Sequence, residues 1–150
     1  MWIDALLAYL HFTAIFFLVA FLAVEFALIR GPLDVSSVRR LTKIDVAYFL
    51  SAMAVLVTGG MRLVWGAKGP DFYFNHWPFY VKFGLFLAVG VISIQPTLTF
   101  IRWKRSFEHD TGWSVPDAER ARVRRLMLAQ VHLAAMIPVF AVVMSRGLGA

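Results

Sequence analysis

The chain has 150 residues, of which 60% are hydrophobic and 16% charged, and its formal net charge is +6. A soluble domain is roughly 45–50% apolar and about 25% charged, so this composition excludes most soluble folds and predicts a membrane protein. The sequence contains no cysteine, which excludes disulfides, thiolate catalysis and iron–sulfur clusters. The positive charges lie between apolar runs, which favours a role in membrane topology over nucleic-acid binding.

Four apolar runs divide the chain, and each is close to the ~20 residues that cross a bilayer. The predicted spans of this single transmembrane domain, 1–150, are about 5–29, 46–65, 79–101 and 126–144. The runs lack the strict alternation of barrel strands, so the predicted fold is all-α. We expect an integral membrane four-helix bundle with antiparallel, up-down-up-down helices.

The basic residues lie mainly in two of the three connections between the spans. Residues 30–45 and 102–125 are rich in lysine and arginine, whereas residues 66–78 contain only Lys68. By the positive-inside rule, the two basic connections are cytoplasmic loops and 66–78 is an outer loop. Both termini are therefore expected to face outward, and membrane lipids are the expected contacts of the spans.

Ionisable residues within a span are costly unless they are paired or solvated, so each one marks a candidate site. Counting helical rise places His11, Arg62 and Lys82 at one depth near the outer face, with Trp65 nearby. This group contains an imidazole and two cations, and no carboxylate of the protein compensates their charge. It therefore predicts a binding site for a ligand that carries a carboxylate, a phosphate headgroup, a quinone oxygen or porphyrin propionates. The alternative is that both long side chains snorkel to the headgroups.

A second polar layer is predicted near the inner face. Its members are Glu25, Asp45, Tyr48, Gln130 and His132. We expect Glu25 and Asp45 to pair with Lys43 or Arg40 and so to hold the helices together. The alternative for the two carboxylates is a role in proton relay.

His11 and His132 are the candidate haem-iron ligands, because imidazole ligates iron and bundle interiors bind haem. Their depths differ by on the order of 10 Å, so one haem held by both is unfavoured. One haem with His11 as an axial ligand to its iron remains open, and the alternatives for His11 are proton transfer or a hydrogen bond to a neighbouring helix. His132 is expected to form a hydrogen bond with a neighbouring helix.

Several local motifs resemble those of the bacterial four-span family known as domain of unknown function 2214. The likeness covers nearly the whole chain and rests on residues 9–12, Arg40-Leu41, Gly60-Met61-Arg62, 65–75, 79–82 and 93–97. This resemblance implies a small inner-membrane protein with four helices and brings no established activity.

A more distant resemblance is to HemJ-type protoporphyrinogen oxidases and copper-resistance CopD-like proteins. These proteins carry a histidine early in the first span, and HemJ proteins carry a lysine at the entry of the third; His11 and Lys82 occupy those places here. The HemJ resemblance implies haem b ligation by His11 and a substrate or propionate contact by Lys82. The loops and the segment 93–97 depart from the HemJ pattern.

Three functions remain open from the sequence. The first is a haem- or quinone-associated redox protein, which as an enzyme would be a membrane oxidoreductase. The second is a proton or anion transporter or channel subunit. The third is an accessory subunit without catalysis, in a homo-oligomer or a larger membrane complex.

Overall fold

A computed structural model describes residues 2–149 and contains five helices. They are α1 (Trp2–Arg30), α2 (Val35–Trp65), α3 (Gly69–Phe74), α4 (Trp77–His109) and α5 (Asp117–Ser145). The described residues form no strand. All helices except the short α3 are long and apolar enough to cross a membrane, which confirms the predicted all-α, four-span fold.

The four long helices extend well beyond the predicted apolar runs. They contain 29 to 33 residues, which corresponds to roughly 44–50 Å at the rise of an α-helix and exceeds the ~30 Å hydrocarbon core. The N-terminal turns of α2 contain Arg39, Arg40 and Lys43, which the sequence assigned to a loop. A helix can continue through polar residues beyond the apolar layer. The apolar run therefore indicates which part of each helix crosses the membrane, and does not indicate where the helix begins or ends.

The start of α2 is set by Asp34, which is the N-cap. Its carboxylate accepts a hydrogen bond from the backbone N–H of Ser37 at 2.7 Å and another from the Ser36 hydroxyl at 3.0 Å. The carboxylate satisfies a free N–H at the start of the helix, and the two donors lower the pKa of the Asp34 carboxyl below its usual value.

Each long helix packs against two of the other three. α1 lies between α2 and α5, and α4 also lies between α2 and α5. α1 and α4 are therefore diagonal, as are α2 and α5. This arrangement is the predicted antiparallel bundle, and the exposed side chains on its outside, such as Phe16, Val91 and Val139, contact lipid. The positive-inside orientation stays a prediction.

The buried core is concentrated in one half of the bundle, which we call the Arg120 end. There α1 and α4 finish, and α2 and α5 begin. The fully buried side chains of this half include Ile29, Leu41, Phe100, Trp103 and Met127. At the opposite end, which we call the α3 end, α5 has no buried residue between Gln130 and Met144. The bundle is therefore tightly packed at one end and more open at the other.

Arg120, in the first turn of α5, ties that helix to the last turn of α1. Its guanidinium donates to the carbonyl oxygens of Ile29 (3.0 Å), Arg30 (2.8 Å) and Gly31 (2.8 Å). These carbonyls lie at the negative end of the α1 dipole and have no partner within the helix, so a cation satisfies them well.

Glu119, beside Arg120, ties the same turn of α5 to α4. Its carboxylate accepts from the Trp103 indole at 2.7 Å and from Arg102 at 2.8 Å. From the sequence these arginines served only as topology signals. The structure shows that they also join helix ends.

Candidate functional site

The His11 side chain lies on α1 against α2, at the α3 end. Its Nδ1 atom is 2.9 Å from the Thr58 hydroxyl oxygen. That hydroxyl has one hydrogen, and it donates it to the Ala54 carbonyl at 2.6 Å. Thr58 must therefore accept from Nδ1–H, which leaves the lone pair of a neutral imidazole on Nε2. The ring also has a backbone hydrogen bond to Val55, three residues before Thr58 on α2.

The His11 ring rests on a glycine of α2. A Cβ added at Gly59 would lie 3.2 Å from the ring carbon Cε1, whereas a Cβ at the adjacent Gly60 would meet nothing within 4 Å. The absence of a side chain at Gly59 is thus what lets the ring approach the α2 backbone. The Gly59-Gly60 pair was the signal in the sequence for this approach.

Arg62 and Lys82 lie close enough to the His11 ring, and to each other, for direct charge interaction. The Arg62 guanidinium is 5.5 Å from the Phe12 ring centroid, and its buried Nε has no hydrogen-bond partner. Within residues 2–149, neither cation forms an ion pair with a carboxylate. The structure therefore brings His11, Arg62 and Lys82 together, and with Thr58 we call them the cationic cluster.

Aromatic side chains cover Lys82. Its Nζ lies 5.4 Å from the centroid of Phe79 and 5.9 Å from that of Tyr73, a buried residue of α3. Sequence reasoning missed Tyr73 because nothing local indicates that α3 folds back over α4. The rings favour a cation electrostatically but supply no counter-charge, so the cluster keeps its excess of positive charge.

The structure does not bring Trp65 into the cationic cluster. Its side chain is 63% exposed at the end of α2. Asp4, the nearest acidic residue along α1, accepts instead from the backbone N–H of Ala67 at 3.0 Å. Asp4 therefore fixes the start of α1 to the connection before α3.

The predicted inner layer contains a buried group of two carboxyls and a phenol. Glu25, Asp45 and Tyr48 are 3%, 6% and 5% exposed. The Thr97 hydroxyl of α4 donates to Asp45 at 2.9 Å, while the buried Oε1 atom of Glu25 has no hydrogen-bond partner. We call Glu25 and Asp45 the carboxylate pair. Gln130 of α5 is also buried at 2% exposed.

Two expectations for the inner layer differ from the structure. Lys43 and Arg40 are exposed, and no ion pair joins either to Glu25 or Asp45. His132 is also exposed, and its Nδ1 lies 2.7 Å from the Leu128 carbonyl oxygen of its own helix. The predictions of a balanced inner layer and of an inward His132 bonded to a neighbouring helix were wrong. Lys43 and Arg40 lie on the exposed side of α2, away from the carboxylates.

His11, His76 and His132 each have Nδ1 within hydrogen-bond distance of an oxygen, and of these three only His11 has a charge interaction with Arg62 and Lys82. Among residues 2–149, no group of three or more histidine, cysteine, aspartate or glutamate side chains is arranged to hold a metal ion. A metal at His11 would therefore need a chelating cofactor to supply its other ligands.

The comparisons with known proteins identify one family. Residues 3–149 match the family described as "Predicted membrane protein (DUF2214)". No curated protein matched the chain, and no solved structure matched it.

Proposed function

Since the chain belongs to the DUF2214 family of predicted membrane proteins, we propose that it acts within the bilayer as a haem-associated redox protein. The carrying observation is the hydrogen bond from His11 Nδ1 to Thr58, which orients the ring and leaves the Nε2 lone pair free. Histidines that ligate a metal ordinarily donate their other ring N–H in this way, which raises their basicity and fixes their tautomer. We further propose a bacterial inner-membrane location with both termini outward.

The other members of the cationic cluster fit the acidic groups of haem b. The unpartnered Nε of Arg62 and the ammonium of Lys82 have the charge and donors that propionates require. When bound, haem would supply one-electron chemistry, for which the chain has no group of its own. His11 would hold the iron, Thr58 would hold His11 in place, and Arg62 and Lys82 would orient the propionates.

Haem b added to the purified protein is expected to give a Soret band that depends on His11. His11→Ala removes the only proposed iron ligand, so the shifted band should be lost. His132→Ala is the matched control, because that histidine is exposed and bonded to its own helix. Absorbance titrations of the three proteins test this. The haem proposal fails if no Soret shift appears, or if the two variants behave alike.

The buried Nε of Arg62, which has no partner, also favours a second function: passage of a small anion. Here Arg62→Gln and Lys82→Gln should each slow chloride or phosphate entry into proteoliposomes by roughly tenfold, the equivalent of about 1.4 kcal/mol. Lys68→Gln is the control, since Lys68 is exposed in the connection before α3. Flux equal in all four proteins would rule this function out.

A further inference from the structure

We propose that the carboxylate pair, Glu25 and Asp45, binds one exchangeable proton inside the membrane. The pair lies far from the cationic cluster, because Glu25 follows His11 by 14 residues on α1, which corresponds to about 21 Å along the helix. The proposal is therefore independent of haem binding and of anion passage.

The burial of both carboxyls without a cation is the first argument. Glu25 and Asp45 are 3% and 6% exposed and lie close enough for direct charge interaction. An ionised carboxylate in such a place costs several kcal/mol unless a counter-charge compensates it. Among the described residues, no lysine or arginine forms an ion pair with either group. Two negative charges cannot both be held there, so at least one proton must be bound.

The surrounding groups support a single proton. α2 contributes Tyr48, which lies close to both carboxyls, and α4 contributes the Thr97 hydroxyl. From α5, the buried polar residue is the neutral Gln130. None of these groups carries a positive charge that could replace the proton.

The hydrogen bonds indicate which carboxyl holds the proton. Asp45 accepts from Thr97 at 2.9 Å, whereas the buried Oε1 of Glu25 has no donor. A carboxylate is stabilised by donors, and a protonated carboxyl needs fewer of them. We therefore assign the exchangeable proton to Glu25, and the Thr97 donor makes Asp45 the carboxyl better able to carry a negative charge. The Tyr48 side chain, beside the pair, is hydrogen-bonded to Ser93 of α4.

Infrared spectra of the protein in vesicles test this directly, because a carboxylic acid and a carboxylate have separate C=O bands. At neutral pH, where exposed carboxyls are ionised, we expect a carboxylic-acid band that shifts in D2O and disappears at higher pH. Glu25→Gln should remove the band. Glu108→Gln, which changes an exposed carboxyl, should leave it unchanged.

Two further measurements distinguish a proton shared by the carboxylate pair from an uncoupled proton and from a bound sodium ion. Asp45→Asn removes the neighbouring negative charge, so the Glu25 band should titrate at a pH lower by about one unit. Replacing choline chloride with NaCl at constant pH should leave the band unchanged. The proposal would be overturned by any one of three results. The wild-type spectrum could lack the band, the band could be unaffected by D2O and pH, or the band could be lost on addition of Na+. The wild-type titration decides even where a variant fails to fold.

Discussion

Arg120→Ala is expected to lower the free energy of unfolding by about 3 kcal/mol, since hydrogen bonds to charged groups contribute about 1.5–3 kcal/mol each and are not additive. The substitution removes all three bonds between the Arg120 guanidinium and the carbonyls at the end of α1. It leaves those carbonyls without a partner and frees the start of α5. The effect is large because one side chain joins the ends of two helices that are distant in the sequence.

Arg124→Ala is the matched control for this prediction. Arg124 lies one turn further along α5, is exposed and has the same charge, so its loss should change stability by less than about 0.5 kcal/mol. Arg120→Lys should recover only part of the loss, because an ammonium lacks the planar set of donors. Unfolding by SDS in mixed micelles, followed by circular dichroism, measures all three. Equal stability of the Arg120→Ala and Arg124→Ala proteins would contradict the assigned contact.

Gly59→Ala and Gly60→Ala are expected to have opposite effects, although the two glycines are adjacent on α2. Alanine in a helix interior is favoured over glycine by about 1 kcal/mol, so Gly60→Ala should stabilise the protein. At Gly59 the new methyl group meets the His11 ring at 3.2 Å. The ring must then shift by a few tenths of an ångström, which strains its bond to Thr58, and such overpacking typically costs about 1–3 kcal/mol.

A double-mutant cycle with His11→Ala tests that contact without any ligand. Removing the ring relieves the crowding, so Gly59→Ala should become stabilising in the His11→Ala background. We expect a coupling of about 1–2 kcal/mol for this pair, and additivity for Gly60→Ala with His11→Ala. Additivity in both cycles would show that the ring does not rest on Gly59. In the protein that retains His11, Gly59→Ala should also weaken haem binding more than Gly60→Ala does, because only the former displaces the ring.

The number, type and approximate position of the helices could be predicted from the sequence. Each span is a long apolar run, and the connections contain Gly31-Pro32, Asp34 or Gly69-Pro70, whose effects on the backbone are local. The helix bounds were less predictable. α2 starts at Val35 and not near residue 46, because the Asp34 cap and not the edge of the apolar run begins it.

The polar residues were harder to place. His11, Leu18 and Glu25 are spaced seven residues apart, which places them on one side of α1, and Leu18 and Glu25 are buried there. The predicted place of His132 in the inner layer was wrong, because that residue is exposed. α5 has apolar residues on every side over its second half, so its sequence does not encode which side faces the bundle.

By itself, the sequence determined that this is a four-span helical membrane protein, because hydropathy and helix caps act over short stretches of chain. Helical rise also grouped the polar residues by depth, but only the tertiary structure decided which polar atoms form contacts. The contacts of His11 with Thr58, of Thr97 with Asp45 and of Arg120 with the end of α1 join residues that are 47 to 91 positions apart. They depend on the rotation and stagger of packed helices, and in a mostly apolar chain these are set by side-chain packing and not by any local pattern.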